Sequence, residues 1–252
     1  MEQAYLFPGF LDWASAALVL DCGAHIGLFA LQAATVYAPN ATFHCLEPAE
    51  EQFSALSANL RELLCCPVGK AGEGGGQTLM SCYGSCNRVD QDHAGAGVPS
   101  ADFGRVTLHR LGVWRDSGQQ RLTVYPRVPG NSTFFPAAQR AHHAGYLDQA
   151  VYADARERIV PVTSLSDFFR AHSVRRVDVL KVDVEGAELA CLEGINPLDF
   201  LKVRQIVVEV SSTGGAVQAV LALLHARGFV TRSRRHDAAN YLIAAIRRPT
   251  PV

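Results

Sequence analysis

Residues 19–31 read VLDCGAHIGLFAL and connect an apolar strand to a helix through a short turn that contains two glycines. The run that ends at Asp21 suits a buried strand, and the residues after Gly27 are rich in alanine and leucine at helical spacing. The pattern D-x-G-x-x-x-G lacks the central glycine of the G-x-G-x-x-G turn, which receives a pyrophosphate at a helix N-terminus. The acidic strand end favours instead a ligand with an ammonium and a sulfonium, such as S-adenosylmethionine.

A second strand, predicted over residues 41–46, is followed by Glu47, which lies 26 residues after Asp21. A carboxylate at this edge of an α/β sheet can accept hydrogen bonds from both ribose hydroxyls of an adenosine. The turn and the carboxylate together predict a nucleoside-type cofactor site. An ordinary strand–helix turn in another α/β protein is the alternative.

The second informative stretch is VDVLKVDVEGAELACLEGI, residues 177–195. Charged side chains in a buried parallel strand are costly unless they are paired or functional. Asp183 and Glu185 follow the strand at its carboxyl end, where open α/β sheets bind ligands, and Glu209 should reach the same crevice from a neighbouring strand. These three carboxylates are the candidate catalytic residues. A helix start held by a salt bridge to Lys181 is the structural alternative.

Short β-rich runs alternate with helical runs, which predicts a single α/β domain over residues 1–252 with a mainly parallel, doubly wound sheet and an antiparallel C-terminal hairpin. Strands are predicted over residues 17–21, 41–46, 105–114, 120–125, 160–162, 177–182, 205–210, 229–233 and 241–246. Helices are predicted over residues 27–37, 50–64, 147–156, 164–171, 187–193 and 216–227. The sequence Asp-Ser-Gly at 116–118 predicts a hairpin between the strands that flank it.

Two stretches interrupt this alternation. Residues 67–104 are rich in glycine and follow a helix, so they predict a surface insertion rather than a phosphate-binding loop. Residues 126–158 combine prolines, glycines and a polar helical run, which predicts a lid over the site.

The chain has 23 basic and 24 acidic residues and a formal net charge of -1, which gives no reason to expect nucleic acid or an anionic membrane as a partner. The basic run at 232–236 predicts a solvated loop. No stretch approaches 18 uninterrupted apolar residues, and the first residues lack a basic, apolar leader. The chain is therefore expected to be soluble and cytoplasmic.

The seven cysteines do not predict a metal site. Three lie in apolar runs, where cysteine behaves as a small hydrophobic residue: Cys22, Cys45 and Cys191. The other four cluster in the irregular stretch, at a spacing that fits zinc poorly: Cys65, Cys66, Cys82 and Cys86. Reduced thiols without a metal are expected.

Four motifs, in this order along the chain, closely resemble the signature of the FkbM-type methyltransferases over about residues 17–246: DCGAHIG, CLEP, LKVDVEGAELACLEGI and IVVEV. The segment GNST at 130–133 resembles a short segment in the central insertion of that family. The resemblance implies a Rossmann-like fold that binds S-adenosylmethionine and methylates a hydroxyl on a sugar, a polyketide or another natural product. A catalytically inactive nucleotide-binding or scaffold module with the same fold is the alternative.

The resemblance also implies roles for individual residues. The methionine end of the cofactor would be lined by Asp21, Gly23, His25 and Gly27. Glu47 would hold the ribose, and the rest of the cofactor-binding set would be Leu111 and Gly112 near the adenine, with Asn131 and Ser132 of the GNST segment. Asp183 and Glu185 would face the reacting centre.

Methyl transfer to an alcohol benefits from a general base. The candidates are Asp183, Glu185 and Glu209 at the sheet edge, or His142 and His143 in the lid. The three carboxylates also fit a divalent cation, which prefers oxygen ligands, although we favour a site without metal.

Overall fold

The computed structural model describes residues 5–61, 100–144 and 148–247. The strands are β1 to β11 in chain order: Leu18–Cys22, Thr42–Leu46, Ser100–Asp102, Val106–His109, Gly112–Val113, Gly118–Val124, Arg156–Thr163, Val177–Val182, Val203–Ser211, Phe229–Arg235 and Asn240–Arg247. The α-helices are α1 to α6: Leu28–Gln32, Glu50–Leu60, Pro136–His143, Leu165–Ala171, Glu188–Glu193 and Ala216–Ala226. A π-helical turn, Ala33–Tyr37, extends α1.

The large sheet has eight strands in the order β10-β11-β9-β8-β1-β2-β4-β3. The five strands from β9 to β4 are mutually parallel, whereas β11 and β3 run antiparallel to their neighbours. From β1 the chain continues through β2 and β4 on one side of the sheet, and later through β8 and β9 on the other side. Doubly wound sheets bind ligands at the strand where this direction reverses, which is β1 here. The predicted α/β fold with an antiparallel C-terminal hairpin is confirmed.

Two hydrophobic clusters cover the two faces of this sheet. In β1, Val19 belongs to one cluster, whereas Leu20 and Cys22 belong to the other. This alternation follows from the two-residue period of a strand. Strand β8 is buried at every position, as expected for a central strand covered on both faces.

The predicted hairpin between strands 105–114 and 120–125 is wrong. The Leu111 amide donates to the His109 carbonyl at 2.9 Å, and this tight turn separates β4 from β5. Strand β5 then joins β6 and β7 in a separate three-stranded sheet of order β5-β7-β6. Strand β7 lies between β5 and β6, the strands predicted to pair with each other. Its eight residues can form a longer ladder with β6 than the two residues of β5 can.

The predicted helix over 147–156 is also wrong. Asp148 caps a short 3₁₀ turn, Gln149–Tyr152, by accepting a hydrogen bond from the Ala150 amide at 2.9 Å. Pairing of β7 with β6 begins at Arg156, so the backbone there is extended. The same region contains a helix that the sequence did not predict, α3, which begins at Pro136, a residue suited to the first helical position.

The basic run at 232–236 does not form a loop, because its first four residues lie in β10 and pair with β11. Cys22, Cys45 and Cys191 are buried free thiols. Most of the predicted insertion over 67–104, with the other four cysteines, lies outside the described residues. Within the part of the chain that the structure describes, no helix has the length and apolar character needed to cross a membrane.

Candidate functional site

A cleft opens at the carboxyl ends of β1, β2 and β8, where the order of the strands reverses. It is lined by eight of the twelve residues that the sequence assigned to catalysis at the sheet edge or to cofactor binding: Gly23, His25, Glu47, Leu111, Gly112, Ser132, Asp183 and Glu185. The remaining four do not line it: Asp21, Gly27, Asn131 and Glu209. Residues that are far apart in the sequence thus meet at one edge of the sheet.

The turn after β1 is shaped by two glycines with different tasks. Gly23 has φ 79°, and a Cβ added there would lie 1.7 Å from the Asp183 carbonyl oxygen, so the loops after β1 and β8 touch through their backbones. Gly27 has φ 85°, and a Cβ there would lie 2.5 Å from Cδ1 of Leu56 in α2. Gly23 therefore shapes the cleft, whereas Gly27 allows α1 to pack closely on α2.

Two other residues in these loops adopt left-handed backbone conformations. His25 has φ 50° and Glu185 has φ 52°, and both line the cleft. Such conformations are unfavourable for residues other than glycine and concentrate at functional sites. The cleft is therefore built from strained loops that the surrounding sheet holds in place.

Asp21 is fully buried and forms an ion pair with Lys181 of β8, with a 2.9 Å distance between its Oδ1 and Nζ. Lys181 also donates to the Gly23 carbonyl at 3.0 Å and lies 3.4 Å from Asp183. Although burial lowers the pKa of Lys181, the adjacent Asp21 and Asp183 carboxylates raise it above its ordinary value. This charged lysine ties the β1 turn to the β8 turn.

Glu47 closes the cleft at the end of β2. Its carboxylate accepts hydrogen bonds from the backbone amides of His25 and Ala49, each at 2.9 Å. Burial raises its pKa to about 7. These two amides fix the carboxylate at the cleft wall, where its remaining lone pairs can accept hydroxyl donors.

The chemistry of these residues fits an adenosine-type cofactor. The His25 Nε2 atom is buried without a hydrogen-bond partner among the described residues, and burial lowers the pKa of this imidazole. A neutral imidazole nitrogen that faces the cleft suits a polar ligand. Gly112 also lines the cleft, and a Cβ there would lie 3.0 Å from Val162 and 3.1 Å from Phe134, so the close packing of the protein at this position favours glycine.

The segment predicted as a lid supplies one wall of the cleft through Pro129, Gly130, Ser132 and Phe134. Asn131 points away, because its amide nitrogen lies 3.2 Å from the Tyr152 hydroxyl and 3.3 Å from the His143 ring. This segment therefore lines the cleft with Ser132 and not with Asn131.

The carboxylates at the end of β8 have separate partners. Glu185 accepts a hydrogen bond from Gln139 of α3 at 2.7 Å, and its carbonyl accepts one from the Thr133 hydroxyl at 2.6 Å. Burial, with Asp183 beside it, raises the pKa of Glu185 well above its ordinary value. Glu185 is therefore held by Gln139 and Thr133 of the segment predicted as a lid, and its raised pKa favours the protonated form.

Asp183 and Glu209 meet at Tyr5. The Tyr5 hydroxyl donates to Asp183 Oδ2 at 3.0 Å and to Glu209 Oε2 at 2.7 Å. Burial, together with these two carboxylates, raises the pKa of this phenol. Asp183 and Glu209 thus share one hydroxyl group, although Glu209 does not line the cleft as the sequence predicted.

A second cavity, of about 670 Å³, adjoins the cleft and shares Gly23, His25 and Asp183 with it. Asp183 therefore faces both spaces, whereas Glu185 lines the cleft alone. Two adjacent spaces with one carboxylate at their junction suit a reaction between two bound molecules.

The other candidates for a base or a metal site lie elsewhere. The ring of His142 is 2.9 Å from the Ser211 hydroxyl, that of His143 contacts Tyr152, and neither lines the cleft or the second cavity. Among the residues that the structure describes, the three ligand atoms within 4.8 Å of one another belong to Glu209, His236 and Asp237, not to Asp183, Glu185 and Glu209. The geometry gives no support to a cation shared by the predicted carboxylates.

Sequence reasoning missed Tyr5, Thr133 and Gln139. Tyr5 contacts residues 178 and 204 positions away, and nothing in its local sequence signals that contact. Thr133 lies within the GNST segment, so that segment was the available signal. Gln139 could have been found only by predicting α3.

Comparison with known proteins identifies the family of the chain. The sequence profile of the family described as "Methyltransferase FkbM domain" matches residues 21–231. The 31-O-demethyl-FK506 methyltransferase FkbM of Streptomyces tacrolimicus is 30% identical over 243 residues, which cover 90% of this chain and 78% of that protein. Methyltransferase 1 of Beauveria bassiana is 29% identical over 229 residues, covering 88% of this chain and 76% of the relative.

A solved structure of a methyltransferase FkbM from Methylobacillus flagellatus KT shares the fold, with a TM-score of 0.57 at 14% identity. The alignment covers 96% of this chain but 47% of that one, so the chain spans about half of its length. The family match covers all the cleft residues, from Gly23 to Glu185. The chain therefore belongs to the FkbM methyltransferase family.

Proposed function

We propose that the chain is an S-adenosylmethionine-dependent O-methyltransferase that acts on a hydroxyl of a small natural product. The observation that carries this proposal is the position of Asp183, which lines both the cleft and the second cavity. The cofactor occupies the cleft, with its ribose at Glu47, and the acceptor occupies the second cavity. The name of the Streptomyces tacrolimicus relative, which refers to an O-demethyl substrate, supports an oxygen acceptor.

S-adenosylmethionine supplies an activated methyl group on a sulfonium when it is bound. Asp183 would accept the hydrogen bond of the acceptor hydroxyl, as it accepts that of Tyr5 in this structure, and would take the proton as the methyl group leaves the sulfonium sulfur and joins the oxygen. Lys181, at 3.4 Å, keeps this carboxylate oriented. Glu185 is less well placed to reach an acceptor in the second cavity, because it lines the cleft alone and already accepts a hydrogen bond from Gln139.

Binding is the first test. Isothermal titration should show that the protein binds S-adenosylmethionine and S-adenosylhomocysteine but not NAD⁺. Transfer of a tritiated methyl group would then be measured on a panel that includes a sugar, a polyketide alcohol and a hydroxy acid. If neither S-adenosyl compound binds, the scaffold alternative is favoured instead.

The second test separates the carboxylates. Asp183→Asn should lower turnover by about 10²- to 10⁴-fold, the usual contribution of a general base, with little change in S-adenosylhomocysteine affinity. Glu185→Gln, in the same cleft, is the matched control and should retain more activity. Full turnover in folded Asp183→Asn would rule out this role, and activity that is lost on chelation and restored by Mg²⁺ would assign the site to a cation.

A further inference from the structure

The second cavity has walls of contrasting character. It is lined by the half-buried aromatic side chains of Phe29 and Tyr37 and by the exposed Leu28. Its rim includes Arg234 and Arg235 of β10 and the adjacent His236, all of them exposed. A chain with a formal net charge of -1 therefore concentrates cationic side chains at the mouth of one cavity.

Arg235 is held in a fixed orientation. Its Nε donates to the Asp237 carbonyl at 2.9 Å, and its Nη2 donates to the Ala238 carbonyl at 2.6 Å. Neither partner carries a charge, and no ion pair joins Arg235 to a carboxylate in the described ranges. The planar guanidinium therefore keeps its positive charge and its Nη1 donors for another partner.

The neighbouring carboxylates are occupied by other groups. Asp183 and Glu209 share the Tyr5 hydroxyl, and Asp183 also pairs with Lys181. Asp237 accepts hydrogen bonds from its own turn, including the Ala239 amide at 2.6 Å. None of these carboxylates forms an ion pair with Arg235 in the described part of the chain.

We infer that the acceptor carries an anionic group, a carboxylate or a phosphate, which Arg235 binds while the acceptor's apolar body lies against Phe29 and Tyr37. An oriented arginine fork is suited to such planar or multidentate anions. The inference rests on the proposed function in one respect, because the proposed function assigns the second cavity to the acceptor. It narrows the acceptor from any hydroxyl compound to a hydroxylated acid with an apolar part.

A pair of probes with the same aromatic body tests this inference. 8-Anilinonaphthalene-1-sulfonate and N-phenyl-1-naphthylamine differ by one sulfonate, and fluorescence titration gives the affinity of each. The wild-type protein should prefer the sulfonate, and Arg235→Gln should weaken sulfonate binding by roughly tenfold, the loss expected when a hydrogen bond to a charged group is removed. The affinity for the neutral probe should not change.

Arg232→Gln is the matched control, because Arg232 lies on the same strand but stacks on the Phe10 ring at 4.6 Å and does not line the cavity. This variant should retain the preference for the sulfonate. Equal affinities of the two probes for the wild-type protein, or the same loss in both variants, would overturn the inference. If Arg235→Gln does not fold, Arg235→Lys, which retains the charge without the fork, should show a partial loss, and an unchanged preference would count against the inference.

S-adenosylhomocysteine separates this inference from the proposed function. Its affinity, measured by isothermal titration, should be the same in the wild-type protein and in Arg235→Gln. A wild-type protein that fails to bind it would contradict the proposed function, whereas the comparison of the two probes would still report on the anion site.

Discussion

At the scale of single residues, Asp21 and Lys181 form a buried ion pair, so a substitution of Asp21 affects the stability of the fold as well as any ligand affinity. Removal of one partner leaves a buried charge without its main counter-ion, which typically costs about 3–5 kcal/mol of stability. We therefore expect Asp21→Ala to lower the free energy of unfolding by that amount, measured by urea denaturation. Any loss of cofactor affinity in this variant would follow from displacement of the Gly23 turn, which Lys181 holds.

A double-mutant cycle is the control for this prediction. Lys181→Met combined with Asp21→Ala removes both charges, so the double variant should be more stable than the sum of the two single losses implies. Additive losses would show that the two side chains do not depend on each other.

Glu47 links cofactor affinity to pH. Burial raises its pKa to about 7, and the ionised carboxylate is the form that accepts hydrogen bonds from two hydroxyls. Cofactor affinity should therefore fall as the pH drops below about 7, because the carboxyl then becomes protonated. Titrations of S-adenosylhomocysteine between pH 5.5 and 8.5 check this, and Glu47→Gln should bind roughly 1–3 kcal/mol more weakly with a flat pH profile. A wild-type affinity that does not vary with pH would argue against this role.

The identified residues that line the cleft include three that directly follow strands. The parallel order of β1, β2 and β8 makes Gly23, Glu47 and Asp183 neighbours, and strand–helix alternation predicts that order. Tyr5 reaches the same place from an irregular segment whose path depends on tertiary packing. No periodic pattern encodes such a contact, so sequence reasoning could not find it.

At the scale of secondary-structure elements, three histidines lie together between the sheet and α4. His44 of β2 and His109 of β4 are in contact, with 2.9 Å between Nδ1 and Nε2, and His172, which follows α4, packs on His109 with ring centroids 4.8 Å apart. Burial, reinforced by the neighbouring rings, lowers the pKa of His44 to about 4 and that of His109 to about 2. Asp102 of β3 opposes the shift of His44 only weakly.

These shifts predict a loss of stability in acid. The unfolded imidazoles take up protons below about pH 6.5, whereas the folded ones do not until far lower pH, so stability should fall as the pH drops from 6.5 towards 4. The slope should approach about 1.4 kcal/mol per pH unit for each imidazole. Urea denaturation across this range is the measurement, and His109→Phe should show a shallower slope. An equal slope in wild type and variant would contradict the assignment.

The order of strands in the small sheet explains why the predicted hairpin between β5 and β6 does not form. The turn residues at 116–118 correctly mark a reversal, and β6 does begin at Gly118. A turn signal does not specify the strand to which each arm pairs, and here β7, from much later in the chain, takes the position between them. Long-range pairing of this kind is determined by sheet assembly rather than by local sequence.

At the scale of the whole molecule, ligand binding and folding are coupled through the loops that form the cleft. A ligand that binds only the folded state at 100 times its dissociation constant stabilises it by about 2.7 kcal/mol. For a chain of this size, that corresponds to a rise in melting temperature of roughly 5–10 °C. S-adenosylmethionine should produce this shift in a thermal denaturation experiment, and NAD⁺ should not. The absence of a shift at saturating S-adenosylmethionine would contradict the proposed cofactor.

Strand β10 is the terminal strand of the large sheet in the described part of the chain, and its last four residues are Arg232, Ser233, Arg234 and Arg235. Outer strands carry unpaired backbone groups that can add a strand from another molecule, and charged side chains oppose such addition. The arginines therefore have a consequence for colloidal behaviour that is independent of any ligand. Each copy of the sheet presents like charges to the next, so edge-to-edge addition of a second sheet at β10 is opposed by charge repulsion.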